Sequence, residues 1–165
     1  MGVYRDRIYP ALVTGLGDPE PIQKIRRRLL PLASGSVLEI GVGPGVNFPH
    51  YDPGKVTKLV VSTFTLCTIA GVAPAIRNIA RVLRPAGKLI FFEIGAASNT
   101  RVRRWQHWWE PIHHRLFEGL FLTRDIPSLL EQGGFVMEHV DAGYIARFPK
   151  SWSHCFWGTA TLRSR

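Results

Sequence analysis

The sequence predicts an α/β domain built on a mainly parallel sheet of about five strands, and three observations predict it. Residues 37–40, Val-Leu-Glu-Ile, are an apolar run carrying one acid, and Gly41, Gly43 and Gly45 follow at alternate positions. Such a run suits a strand covered on both faces. The glycines suit a turn whose backbone can approach a nucleotide-like ligand closely. Beyond this point strand-like and helix-like segments alternate, the arrangement from which parallel sheets are wound. The 165 residues, 45% of them hydrophobic, are enough for one domain with a substantial core.

Each element has its own signal. Residues 20–32 place Ile22, Ile25, Leu29 and Leu30 at helical spacing among Lys24, Arg26, Arg27 and Arg28, and Pro31 marks the end. Gly35 and Ser36 lead into the first strand. After the glycine loop only residues 46–51 remain for a helix of little more than one turn before Asp52-Pro53-Gly54, a strong turn signal. Residues 56–65, β-branched and apolar, read as the second strand, and a helix over about 73–83 stops before Pro85 and Gly87. Residues 88–93 form the third strand. Residues 101–121 are basic and aromatic, with a helical pattern interrupted by Pro111, and residues 125–132 form a helix closed by Gly133-Gly134. Residues 135–140 and 154–162 are the last two strands. The final one follows a loop rather than a helix, so it can run antiparallel. No repeat or linker divides the chain, which reads as one domain over 1–165.

The charge of +9 and pI near 10.3 come from 21 Lys and Arg against 12 Asp and Glu. This favours polyanions, anionic surfaces or acidic ligands and says nothing about fold. Cys67 and Cys155 match no metal or redox spacing and read as two buried thiols of a protein in the reducing cytoplasm. Residues 1–17 lack the apolar core of a secretory signal, and the most apolar stretch, 59–73, is too short and too polar for a membrane span.

Four pieces carry a family resemblance. They are Val-Leu-Glu-Ile-Gly-Val-Gly-Pro-Gly (37–45), Val-Val-Ser-Thr-Phe-Thr-Leu-Cys-Thr-Ile (60–69), Arg-Val-Leu-Arg-Pro-Ala-Gly-Lys-Leu-Ile-Phe-Phe-Glu (81–93) and Leu-Thr-Arg-Asp-Ile (122–126). In content and order they resemble the class I S-adenosylmethionine-dependent methyltransferases. The last two, with Glu131-Gln-Gly-Gly-Phe135 behind them, are similar to the small-molecule branch that includes thiol S-methyltransferases. The similarity covers most of residues 30–163. It implies a Rossmann-like methyltransferase fold, S-adenosylmethionine as cofactor, and methyl transfer to a small-molecule acceptor, a thiol being one candidate. By resemblance Gly41, Gly43 and Gly45 pack against the methionine part of the cofactor, and Glu39 orients its polar end. Ser62, Thr63 and Phe64 belong to the loop that closes over the site. Residues 1–33 are then an N-terminal helical segment, 34–95 the cofactor-binding core, 96–125 a lid and substrate segment, and 126–165 the C-terminal strands. Glu93, Trp105, His113 and Arg124 are the substrate-side candidates, and no single catalytic residue is assigned.

The chain also departs from the family pattern. A carboxylate that holds the ribose is expected about 20 residues past such a glycine loop, yet no Asp or Glu lies between Asp52 and Glu93. Lys55-Val-Thr-Lys-Leu59 looks like the start of the family's second strand running directly into its fourth. The sheet is thus truncated, by a piece on the order of 50 residues, judged from about 30 or more for each βαβ unit. We expect residues 56–65 to take the fourth-strand position, which leaves the first strand at a sheet edge and makes a homodimer through that edge one expected partner.

Other readings stand beside these. The glycine loop also reads as a tight turn without a ligand, and Asp52 as a solvent-facing turn residue. Glu93 either faces substrate or is a satisfied carboxylate at a sheet end. His113 and His114 point to different helix faces and find no third ligand, so no metal is expected. Arg101, Arg103, Arg104, Trp105, Trp108 and Trp109 suit a peripheral membrane contact or single-stranded nucleic acid. A lid helix with its tryptophans on the core and its arginines in water is preferred, and nucleic acid ranks last for want of a motif. Two functional alternatives follow, a catalytically impaired remnant acting as an interaction module and a basic binder of nucleic acid or anionic lipid.

Overall fold

The computed structural model describes residues 19–34, 37–41, 47–52, 54–55, 60–83, 87–116 and 119–163. Its elements are α1 (Glu20–Leu29), β1 (Leu38–Ile40), β2 (Val60–Thr63), α2 (Val72–Val82), β3 (Lys88–Ile94), α3 (Thr100–Leu116), α4 (Ile126–Gln132), β4 (Phe135–Tyr144) and β5 (His154–Leu162). Short 3-10 turns cover Leu30–Leu32 and Phe48–His50. The five strands form one sheet in the order β1-β2-β3-β5-β4. β1, β2 and β3 are parallel, whereas β5 runs antiparallel to both β3 and β4.

The strand at 60–63 lies between β1 and β3, with Glu39 opposite Val61 and Val61 opposite Ile90. This is the expected fourth-strand position. Residues 56–59, the other part of the fused strand, lie outside the described residues. Among the described residues β1 has a strand neighbour on one side only, and Leu38 on it is half exposed.

β3 is the central strand because its run Lys-Leu-Ile-Phe-Phe-Glu-Ile is apolar on both faces. Leu89 and Phe91 pack with Ile76 and Ile79 of α2 and with Ile126 and Leu130 of α4. Ile90 and Phe92 point the other way, onto Leu29, Leu30 and Ala33 at the end of α1, with Val61 of β2. Burying a side chain of this size contributes roughly 1.5–3 kcal/mol. These two layers therefore fix the strand ends that build the site.

Helix boundaries follow local chemistry. α1 carries Glu20 in its first turn and Arg26, Arg27 and Arg28 in its last, matching the helix dipole. α4 is capped by Asp125, whose Oδ1 accepts from Ser128 N at 3.2 Å, and it ends at Gly133 and Gly134. α3 corrects an expectation, because it runs unbroken through Pro111. Proline removes one intrahelical bond, and here Gln106 and Glu110, in the two turns before Pro111, anchor the helix to neighbouring loops. β4 extends to Tyr144, four residues past the expected end, because its pairing with β5 continues to His154.

Candidate functional site

The carboxyl ends of the parallel strands, where open α/β sheets bind ligands, hold two polar clusters on opposite faces of β2. Glu39 of β1 lies at the centre of the first. Asn47 Nδ2 donates to Glu39 Oε1 at 2.6 Å and to Thr63 Oγ1 at 2.9 Å, and the Tyr51 hydroxyl donates to Glu39 Oε2 at 3.0 Å. Burial and the adjacent carboxylate push the Tyr51 phenol well above its ordinary value. Arg26 of α1 is buried near Glu39, and burial lowers its pKa against the opposing pull of that carboxylate. Asn47 is itself buried, and its Oδ1 has no hydrogen-bond partner among the described residues.

Gly41 follows β1 at φ 72°, the left-handed region that glycine enters without strain. A Cβ there would collide with the Thr65 side chain. Thr65 Oγ1 in turn donates to Ile40 O at 3.0 Å, so the loop after β2 is tied to the turn after β1. Gly43 and Gly45 lie outside the described residues.

Glu93 organises the second cluster. It is fully buried at the end of β3, where Ser62 Oγ donates to its Oε1 at 2.6 Å, Thr65 N to Oε1 at 3.1 Å and Cys67 N to Oε2 at 3.1 Å. Burial raises its pKa against the opposing pull of these donors. Of the two readings of this carboxylate, the geometry matches the satisfied one at a sheet end. Between its two anchored residues and β2, Phe64 sits at φ 52°, uncommon for a side chain of that size, with its ring 4.6 Å from that of Phe92. Strained backbone of this kind concentrates at ligand-binding loops. Ser62, Thr63 and Phe64 thus come together with Glu39 and Gly41, but Ser62 and Thr63 serve opposite faces.

The substrate-side candidates are dispersed. Arg124 tethers the same loop, its Nη1 donating to Leu66 O and its guanidinium lying 3.8 Å over the Phe121 ring. His113 is buried, its ring 5.1 Å from that of Trp152, and burial lowers its pKa. Trp105 faces outward from α3, as does Trp108, which corrects the expected lid with tryptophans on the core. Trp109 is half buried beside His113. Asp52 is a turn carboxylate, accepting from Gly54 N at 3.0 Å and paired with Lys55 at 3.2 Å, contacts that hold its pKa down.

Beyond the end of β3 a cavity of about 410 Å³ opens, lined by Ala96, Arg103, His107, Thr123, Asp125 and His154 among others. Sequence reasoning missed this cavity and the roles of Asn47 and Tyr51. Among the described residues no group of three His, Cys, Asp or Glu side chains is placed to hold a metal ion, and no helix is long and apolar enough to cross a membrane.

No protein-family model matches the chain. It is 28% identical over 170 positions to thiol S-methyltransferase TMT1A of Homo sapiens, covering 74% of this chain and 67% of that protein. With thiol S-methyltransferase TMT1B of Homo sapiens it shares 28% over 150 positions, covering 62% of each. Among solved structures it is similar to N-methyltransferase NodS of Bradyrhizobium japonicum in complex with S-adenosylhomocysteine, with TM-score 0.61, 16% identity, and 96% of this chain and 100% of that one covered. It is also similar to a phosphoethanolamine N-methyltransferase of Haemonchus contortus in complex with the same ligand, with TM-score 0.64, 13% identity, and 99% and 60% covered. The structural likeness shows a Rossmann-like methyltransferase fold, and with the sequence relatives it supports a class I S-adenosylmethionine-dependent methyltransferase.

Proposed function

We propose that the chain binds S-adenosylmethionine at the carboxyl ends of β1 and β2 and transfers its methyl group to a small-molecule thiol. The observation that carries this reading is the Glu39, Asn47 and Thr63 cluster beside the left-handed turn at Gly41. Asn47 Oδ1, without a hydrogen-bond partner among the described residues, and the Glu39 carboxylate offer acceptors to the ammonium group of the cofactor, a charge-assisted pairing. Gly41, with Gly43 and Gly45 after it, would let backbone meet the methionyl chain. Thr63 at the end of β2 and Phe64 just after it would border the site, while Ser62 holds Glu93 on the other face of the strand.

The bound cofactor supplies an electrophilic sulfonium methyl. This chain's residues then have to orient the acceptor and exclude water, effects sensitive to misplacements of about 1 Å. The cavity past β3, with Arg103, His107 and Thr123 on its walls, is the site we assign to the acceptor. The thiol assignment rests on the names of the two sequence relatives. The chain spans 67% and 62% of the lengths of these two relatives.

The missing ribose carboxylate weakens this site. Loss of one charged acceptor costs about 1.5–3 kcal/mol, or roughly tenfold to hundredfold in affinity. The alignment with TMT1A supports an internal excision, since it runs over 170 positions while using only 74% of this chain's 165 residues. Cys67 and Cys155 are free and buried, which supports a reducing, cytoplasmic setting. The second reading, an impaired remnant used as an interaction module, is favoured by one observation, that among the described residues β1 has a strand neighbour on one side only. Incubation with S-adenosylmethionine and a small alkyl thiol, followed by mass spectrometry of the thioether, separates the two. Product that disappears in Gly41→Val supports methyl transfer. A dimer by light scattering with no product supports the module.

A further inference from the structure

α3 presents two unlike faces. The inner one is fixed by polar bonds, with Gln106 accepting from Ala97 N at 2.8 Å and donating to Gly95 O at 3.0 Å, and Glu110 accepting from Thr123 N at 2.8 Å. The outer one carries Trp105, Trp108 and Ile112, which are 56%, 64% and 41% exposed. These positions fall on one helical stripe. Arg101 precedes them on the same stripe, and Arg104 and Arg115 flank it, all three exposed. The acid of this helix, Glu110, is turned inward to Thr123, so no carboxylate of α3 offsets the arginines on the outer stripe.

We infer that this face of α3 docks on an anionic lipid bilayer. Indole rings favour the headgroup level of a membrane, and flanking arginines pair with lipid phosphates while their stems lie along apolar surface. Charge complementarity selects this occupant over a second copy, because two copies face to face would oppose Arg101, Arg104 and Arg115 with themselves. The chain's net charge of +9 adds long-range attraction to such a surface. Arg103 and His107, which line the cavity past β3, lie on the half of the helix that carries Gln106 and Glu110, so docking through the outer stripe leaves that cavity on the side of α3 away from the lipid.

The test is sedimentation of the full chain with vesicles of phosphatidylcholine containing about one quarter phosphatidylserine, against phosphatidylcholine alone. Binding to the anionic vesicles only, weakened by salt, is expected. Arg101→Gln with Arg104→Gln should weaken it about fivefold per arginine, equivalent to about 1 kcal/mol each. Lipids brominated near the headgroup should quench tryptophan emission in the wild type, and Trp105→Ala with Trp108→Ala should abolish that quenching with an unchanged circular dichroism spectrum. Equal binding to both vesicle types, or no quenching, overturns the proposal. Stronger binding to a single-stranded oligonucleotide, lost in the same variants, overturns it in favour of nucleic acid.

Discussion

Glu93 illustrates how much of the site depends on single buried groups. Its carboxylate accepts from one hydroxyl and from backbone N–H groups of the loop that holds Phe64 in its left-handed conformation. Glu93→Ala leaves those donors unsatisfied at roughly 1–3 kcal/mol each. Partial relief of the buried charge offsets this, so a net loss of about 3 kcal/mol is expected in urea unfolding. Glu93→Gln keeps an acceptor and should lose less. His113 makes a different prediction. Burial lowers its folded pKa below the ordinary 6.5, so in the window below that value the unfolded chain binds the extra proton. Stability from this group is present above pH 6.5 and declines as pH falls through the folded pKa. His113→Phe keeps a ring against Trp152 and removes the titration. Its melting temperature should therefore fall less steeply than that of the wild type on acidification, and parallel slopes would contradict this. Glu39 and the alternate glycines were legible because motif spacing is local. Asn47 and Tyr51 were not, since their bonds to Glu39 span a loop and follow no period.

At the level of elements, α3 is held less by apolar burial than by the bonds of Gln106 and Glu110 to the segments after β3 and before α4. Gln106→Ala should raise amide hydrogen exchange at Ala97 and along α3 while leaving β3 protected, as expected for local rather than global opening. Unchanged exchange at Ala97 would show that the helix is anchored elsewhere. The hydrophobic pattern revealed this helix but not its length, because proline weighs heavily in a sequence reading while the tertiary bonds of Gln106 and Glu110 just before it do not. The same pattern misassigned the tryptophans. Aromatic bulk usually signals a core, and only side-chain direction showed that Trp105 and Trp108 point outward.

For the whole molecule, the place of the strand at 60–63 and the edge position of the first strand were legible because the downstream match required the fourth-strand position, whereas the central place of β3, apolar on both faces, comes from the structure. What a sequence pattern could not supply is how the clusters divide between the two faces of β2, since alternation gives faces but not partners. The resulting domain has a complete core around β3 and a sheet that, among the described residues, stops at β1. The central claim is that this shortened sheet still holds a sulfonium nucleoside at Glu39 and Gly41. Isothermal titration of the full chain with S-adenosylhomocysteine tests it most directly. The account predicts saturable heat with Kd between about 10 μM and 1 mM, lost in Gly41→Val although that variant remains folded by circular dichroism. An absence of heat at about 5 mM ligand, where even a millimolar site would be mostly occupied, would contradict it.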